Sequence, residues 1–108
     1  MKLLTKELEG SFKKVGSQED NSDPVVIAKY FHPFSNAKWY ATEYYPEDRI
    51  FYGYVSLFND HCDEWGDFSL DELETVKVMG LGIERDMCFI SRPISEVLRK
   101  EGRYGYKG

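Results

Sequence analysis

The sequence predicts an α+β domain, an antiparallel meander of about four strands with helices packed on one face. Three observations carry this. The 108 residues fit a single domain, 1–108, and an apolar share of 42% supplies one modest core without metal or disulfides. Residues 39–55, WYATEYYPEDRIFYGYV, hold seven of the chain's aromatic residues. Their two β-rich halves flank the turn signal Pro46-Glu47-Asp48, the pattern of a β-hairpin. Apolar residues at helical spacing occur in three short stretches outside it.

The elements follow in order. Leu4, Leu8, Phe12 and Val15 fall at helical spacing behind Thr5, a good N-cap, and Gly16 is a natural stop. A helix is expected over residues 5–15. Gly10 weakens it by about 1 kcal/mol relative to alanine. Lys13 and Lys14 suit its C-terminal end. The polar stretch 16–24, GSQEDNSDP, is a loop. Val25 to Phe31 is a β-branched and aromatic strand ended by Pro33. Lys38 to Tyr45 and Arg49 to Phe58 are the next two. Gly53 within the third marks a bulge or the close approach of another backbone.

Residues 59–67, NDHCDEWGD, read as a turn region, and Phe68 opens a short strand or leads into a helix. Ser69 and Glu72 have the spacing of a capping box. Leu70, Leu73 and Val76 give the apolar stripe of a second helix that Gly80 ends. Residues 80–86 form a loop, and Met87 to Ser91, MCFIS, a fourth strand. Pro93 opens the last helix at its first position, with Ile94, Val97 and Leu98 as its stripe. The tail 102–108 is expected to fray.

The net charge is -5. Nucleic-acid binders need Lys and Arg for phosphate contacts, so direct DNA or RNA binding is disfavoured. Residues 39–58 contain Arg49 as their only Lys or Arg, against three acids, which argues against base stacking on the aromatic strands. Cys62 and Cys88 form no CxxC pair and read as free, buried thiols of a reducing compartment. Met1 to Leu4 is too short for the apolar region of a signal peptide, and no run reaches membrane-spanning length. A cytoplasmic protein is expected, without a membrane.

No catalytic constellation is visible, and no cofactor is implied. Glu43 is the one carboxylate set mid-strand among aromatics. Simple alternation places it with Trp39, Ala41 and Tyr45, either exposed on an open face or paired with a tyrosine in a weak enzyme site. His61, Cys62 and Asp63 are consecutive and cannot converge on a metal from an extended chain, so no metal site is expected. Cys62 beside His61 says little about nucleophilic geometry. The glycine pairs at 80–82 and 102–105 lack the context of a phosphate loop.

Charge is distributed unevenly. Residues 43–74 carry ten acids against Arg49 alone, while the flanking segments are slightly basic. Part of this belongs to helix capping and solvation. The functional alternative is an anionic face that docks on a basic surface, with fast, salt-sensitive association. Glu47 and Asp48 on the hairpin turn and Asp60, Asp63, Glu64 and Asp67 in the loop beyond would supply the charge. Tyr44 and Tyr52 would serve as aromatic anchors.

Several segments together resemble a family of small bacterial, plasmid and phage proteins catalogued as domain of unknown function 2958. They are Leu3-Leu-Thr-Lys-Glu-Leu, Trp39-Tyr-Ala-Thr-Glu-Tyr, Arg49-Ile-Phe-Tyr-Gly-Tyr-Val, Trp65-Gly-Asp-Phe-Ser-Leu-Asp-Glu-Leu-Glu, Gly80-Leu-Gly-Ile-Glu-Arg-Asp and Ile94-Ser-Glu-Val. Residues 11–23 and the tail beyond Lys100 depart from the family pattern. The resemblance implies no enzymatic activity. It implies a mobile-element setting, and similarity to anti-CRISPR inhibitors of Cas9. The expectation is a non-enzymatic inhibitor whose acidic face binds a basic surface of Cas9, or of its guide-RNA complex, and blocks nucleic-acid binding or cleavage. A general protein-binding module of a plasmid or host, unrelated to Cas9, is the alternative.

Overall fold

The computed structural model describes residues 2–57 and 63–101. Its helices are α1 (Lys6–Val15), α2 (Leu70–Thr75) and α3 (Ile94–Lys100). Its strands are β1 (Val25–Val26), β2 (Ala28–Phe31), β3 (Lys38–Tyr45), β4 (Ile50–Ser56), β5 (Glu64–Ser69), β6 (Lys77–Val78), β7 (Leu81–Gly82), β8 (Glu84–Arg85) and β9 (Arg92–Pro93). The main sheet is antiparallel and has five strands, not about four, in the order β5-β4-β3-β2-β8. Two small ribbons, β1-β9 and β6-β7, flank it.

The extra strand, β5, lies partly where a turn was expected. Its sequence, EWGDFS, has weak β character, but it pairs with β4 along its whole length, from Ile50↔Ser69 to Val55↔Glu64. Tertiary pairing here overrides local propensity. The reverse holds at Met87 to Ser91, which is not a strand. Asp86 turns the chain there: its Oδ1 accepts from Cys88 N and its carbonyl from Phe89 N. The place beside β2 is taken by β8 instead. Cys88 is consequently exposed, not buried. Val25 to Phe31 splits at Ile27, whose N–H still donates to Ala41 O while β1 leaves to pair with β9.

The first helix starts as expected, with Thr5 Oγ1 accepting from Leu8 N, and stops at Gly16. In α2, Ser69 Oγ accepts from Glu72 N. The helix ends at Thr75, before Gly80, because Lys77 to Gly82 form a hairpin. Its two turn residues, Met79 and Gly80, have φ of 54° and 80°. Pro93 precedes α3 as its N-cap instead of opening it at the first helical position.

Helices cover both sheet faces, which corrects the one-face expectation. Tyr40 and Ala41 are neighbours on β3 and point oppositely. Ala41 joins Ala28, Tyr30, Phe51 and Phe68 in a cluster with Phe12 of α1 and Leu70 and Leu73 of α2. Tyr40 joins Val26 and Tyr54 in a second cluster with Ile94, Val97 and Leu98 of α3. Both strand faces carry aromatic side chains, so neither can be left wholly to water.

Pairing of β3 with β4 slips between Ala41↔Gly53 and Glu43↔Tyr52. Thr42 is the extra residue of a β-bulge, and its Oγ1 donates to Tyr52 O at 3.1 Å. The slip reverses the alternation beyond it. Tyr44 enters the first cluster, with its ring centroid 4.9 Å from that of Phe51. Glu43 and Tyr45 move to the α3 side of the sheet. Gly53, opposite the bulge, is the close approach that its presence in a strand suggested.

Candidate functional site

On the second face α3 packs on Tyr40 and Tyr54 and stops short of the strip bearing Tyr45, Tyr52 and Asp67. The loop 16–24 rises beside this strip, and between them lies a cleft of about 620 Å³. Its floor and one wall are Thr42, Glu43, Tyr45, Tyr52, Trp65 and Asp67. Ser17, Gln18, Glu19, Asn21, Ser22 and Pro24 make the other wall. Three carboxylates and three aromatic rings line it, with no Lys or Arg.

Gln18 fastens the loop. It is 7% exposed; its Nε2 donates to Val25 O and Thr42 O, and its Oε1 accepts from Val25 N at 2.7 Å. The far end is held by Asp23, whose carboxylate accepts from Ser95 N and Ser95 Oγ at the start of α3. The wall of the cleft is therefore bonded to β1, β3 and α3. Gln18→Ala is expected to cost about 1–3 kcal/mol, because it strands the buried carbonyl of Thr42 and the partly buried N–H and carbonyl of Val25. Urea unfolding would register the loss, and faster amide exchange at Val25 would localise it.

Glu43 lies at the base, 7% exposed. Its Oε2 accepts from Gln18 N at 2.9 Å and its Oε1 from the Tyr45 hydroxyl. The exposed-glutamate reading of this residue is thus corrected: the bulge carries it to the other face, beneath the loop. The bond to Glu43, followed by burial and nearby negative charge, pushes the Tyr45 hydroxyl up to about 12 from its ordinary 10.0. Tyr44 is raised mainly by burial, and so is Tyr30, whose hydroxyl donates to Leu3 O.

These shifts have a consequence for stability. The folded protein holds these phenolic protons to higher pH than the unfolded chain does. Their contribution is complete below pH 10 and declines as pH rises from 10 towards about 12. Tyr45→Phe should make that decline shallower without removing it, since Tyr30 and Tyr44 remain. Unfolding curves taken across this alkaline range test it; an identical slope in the variant would refute it.

Tyr52 and Trp65 stack, with ring centroids 6.0 Å apart and planes 18° from parallel. Trp65 also meets Tyr54 edge-on. A stacked aromatic pair flanked by carboxylates suits a cationic or planar group. Among the described residues, no group of three or more His, Cys, Asp or Glu could hold a metal ion, and no helix is long and apolar enough to cross a membrane.

Residues 3–105 match the model of a family described as Protein of unknown function (DUF2958). The chain belongs to that family. No curated protein and no solved structure gives a significant match to it.

Among the described residues, the acids singled out from the sequence of this DUF2958 protein lie at three places along the sheet. Glu47 and Asp48 sit exposed at the β3–β4 turn. Asp63 and Glu64 lie at the opposite end of β5, Glu64 about 17 Å along the strand from Ser69, which pairs with Ile50 next to that turn. Asp63 Oδ2 accepts from the Tyr54 hydroxyl at 3.0 Å. Asp67 lies between the two ends, in the cleft. Asp60, His61 and Cys62 fall outside the described residues. Arg49, the lone base of the acidic stretch, is bonded to Asp71 and Glu74 of α2. Of the two tyrosines, Tyr52 is in the cleft and Tyr44 packs in the core cluster of the other face. Sequence reasoning missed Gln18, Glu19 and Trp65 of the DUF2958 cleft. A tryptophan two residues from Asp67, at strand spacing, was the one available signal.

Proposed function

We propose that this protein is a non-enzymatic binding module that docks, in the cytoplasm, on a basic protein surface through the cleft face. The observation that carries this is the composition of the cleft: Glu19, Glu43 and Asp67 around Tyr45, Tyr52 and Trp65, with no cation in the lining. Carboxylates steer a basic partner in, and aromatic rings supply anchor area. On the resemblance drawn from the sequence to anti-CRISPR proteins, the target would be a Cas9 effector, whose nucleic-acid channels are positively charged. Occupation of such a channel would block guide or target binding, or cleavage.

A binding role accounts for Glu43 better than catalysis does. Both its oxygens already accept hydrogen bonds, Oε2 from the Gln18 amide and Oε1 from Tyr45, and the Tyr45 hydroxyl, pushed up to about 12, is far from the range useful to a general base near neutrality.

Capture of Cas9, with and without guide RNA, and a cleavage assay at two salt concentrations test the proposal. Capture and inhibition that weaken at the higher salt are expected. No capture and no loss of cleavage would sink the Cas9 target. Capture of a different basic protein from the native host would select the general module. If Glu19→Lys combined with Asp67→Lys leaves binding intact, the cleft is not the contact.

A further inference from the structure

We infer that the cleft takes one arginine side chain of the basic partner, its guanidinium stacking on the Tyr52–Trp65 ring pair and facing Asp67 and Glu43. The inference rests on the binding role proposed above and names the group recognised. A few acids on a surface would be ordinary solvated side chains. Two further observations set this place apart.

The first is Glu43. Its two oxygens accept from the Gln18 amide and the Tyr45 hydroxyl, both neutral donors. Among the described residues it forms no ion pair. A carboxylate so withdrawn from water ordinarily has a cation beside it. This one lines a cavity of about 620 Å³ that opens to solvent.

The second is the aromatic wall. Tyr52 and Trp65 form a stacked pair, 18° from parallel, and a planar guanidinium extends such a stack better than an ammonium does. Asp67 lies opposite Tyr52 across the β4-β5 pair and is exposed and unpaired among the described residues. It can accept the two parallel N–H groups of a guanidinium fork. Arginine is also the more weakly hydrated of the two cations, and so the easier to withdraw into a cleft.

The test titrates N-acetyl-arginine-N-methylamide into isotopically labelled protein, alongside its lysine and citrulline counterparts. Saturable NMR shifts confined to Tyr45, Tyr52, Trp65 and the Gln18 amide are expected with arginine. Citrulline, which keeps the shape and loses the charge, should bind about tenfold more weakly or less. Asp67→Asn, an exposed change that leaves the fold intact, should weaken the arginine response about tenfold. No saturable shift, or equal responses to arginine and citrulline, overturns the inference. The Cas9 capture separates it from the broader proposal. Capture without any arginine response leaves the binding role standing and removes the arginine pocket. An arginine response without capture of a basic protein does the opposite.

Discussion

Gly53→Ala is expected to prevent folding, or to cost more than about 3 kcal/mol. A Cβ built at Gly53 would lie 2.0 Å from Tyr40 O, 2.9 Å from Tyr40 C and 3.0 Å from Ala41 Cα. All three are backbone atoms of the adjacent central strand, so no side-chain rotation relieves the clash. β3 would have to move away from β4 at the bulge that positions Glu43. Gly66 is the control. It pairs with Gly53 across β4-β5, and a Cβ there meets nothing within 4 Å. Gly66→Ala should therefore be neutral or slightly stabilising. Urea unfolding of the two variants decides the matter. A Gly53→Ala protein within about 1 kcal/mol of the parent would show that the contact is not rigid.

Phe51→Ala should cost about 3–5 kcal/mol. Phe51 is fully buried and is the hub of the first cluster. Its ring centroid lies 5.7 Å from Phe12, 5.4 Å from Tyr30, 4.9 Å from Tyr44 and 5.3 Å from Phe68. These rings come from α1, β2, β3 and β5, so a cavity at this point loosens four elements at once. Phe51→Leu keeps most of the volume and should lose markedly less. The ordering of the parent, Phe51→Leu and Phe51→Ala in thermal melts checks the prediction. Equal melting temperatures for the two variants would contradict it.

The elements that local chemistry controls were legible in the sequence. Thr5 and Gly16 bound α1 because capping depends on neighbours a few residues away, and Ser69 starts α2 for the same reason. The hairpin Lys38–Tyr45 and Ile50–Ser56 was legible through its aromatic halves and its turn. What escaped depends on distant partners. Glu64–Ser69 is a strand because β4 offers it an edge, not because EWGDFS favours extension. Met87 to Ser91 had strand composition, but Asp86 turned it away and left Met87 and Ile90 exposed. The cleft was the least legible part. It depends on Gln18, a polar loop residue whose burial follows from bonds to residues 7 and 24 positions away. It also depends on a bulge in β3 that Gly53, on the facing strand, hinted at without placing, so Glu43 was assigned with Tyr45 to the wrong side.

The extra residue at Thr42 acts on β3 as a frameshift acts on a reading frame. Upstream of it, odd-numbered side chains such as Trp39 and Ala41 face the α1 layer. Downstream, the even-numbered Tyr44 does. One strand thereby sends Tyr44 to one side and Glu43 and Tyr45 to the other. Deleting Thr42 would restore a single frame, drive Glu43 and Tyr45 towards the apolar layer and expel Tyr44 from it. Core and cleft are thus specified by the same insertion, and a relative with one residue fewer between Ala41 and Glu43 would be expected to have neither in this form.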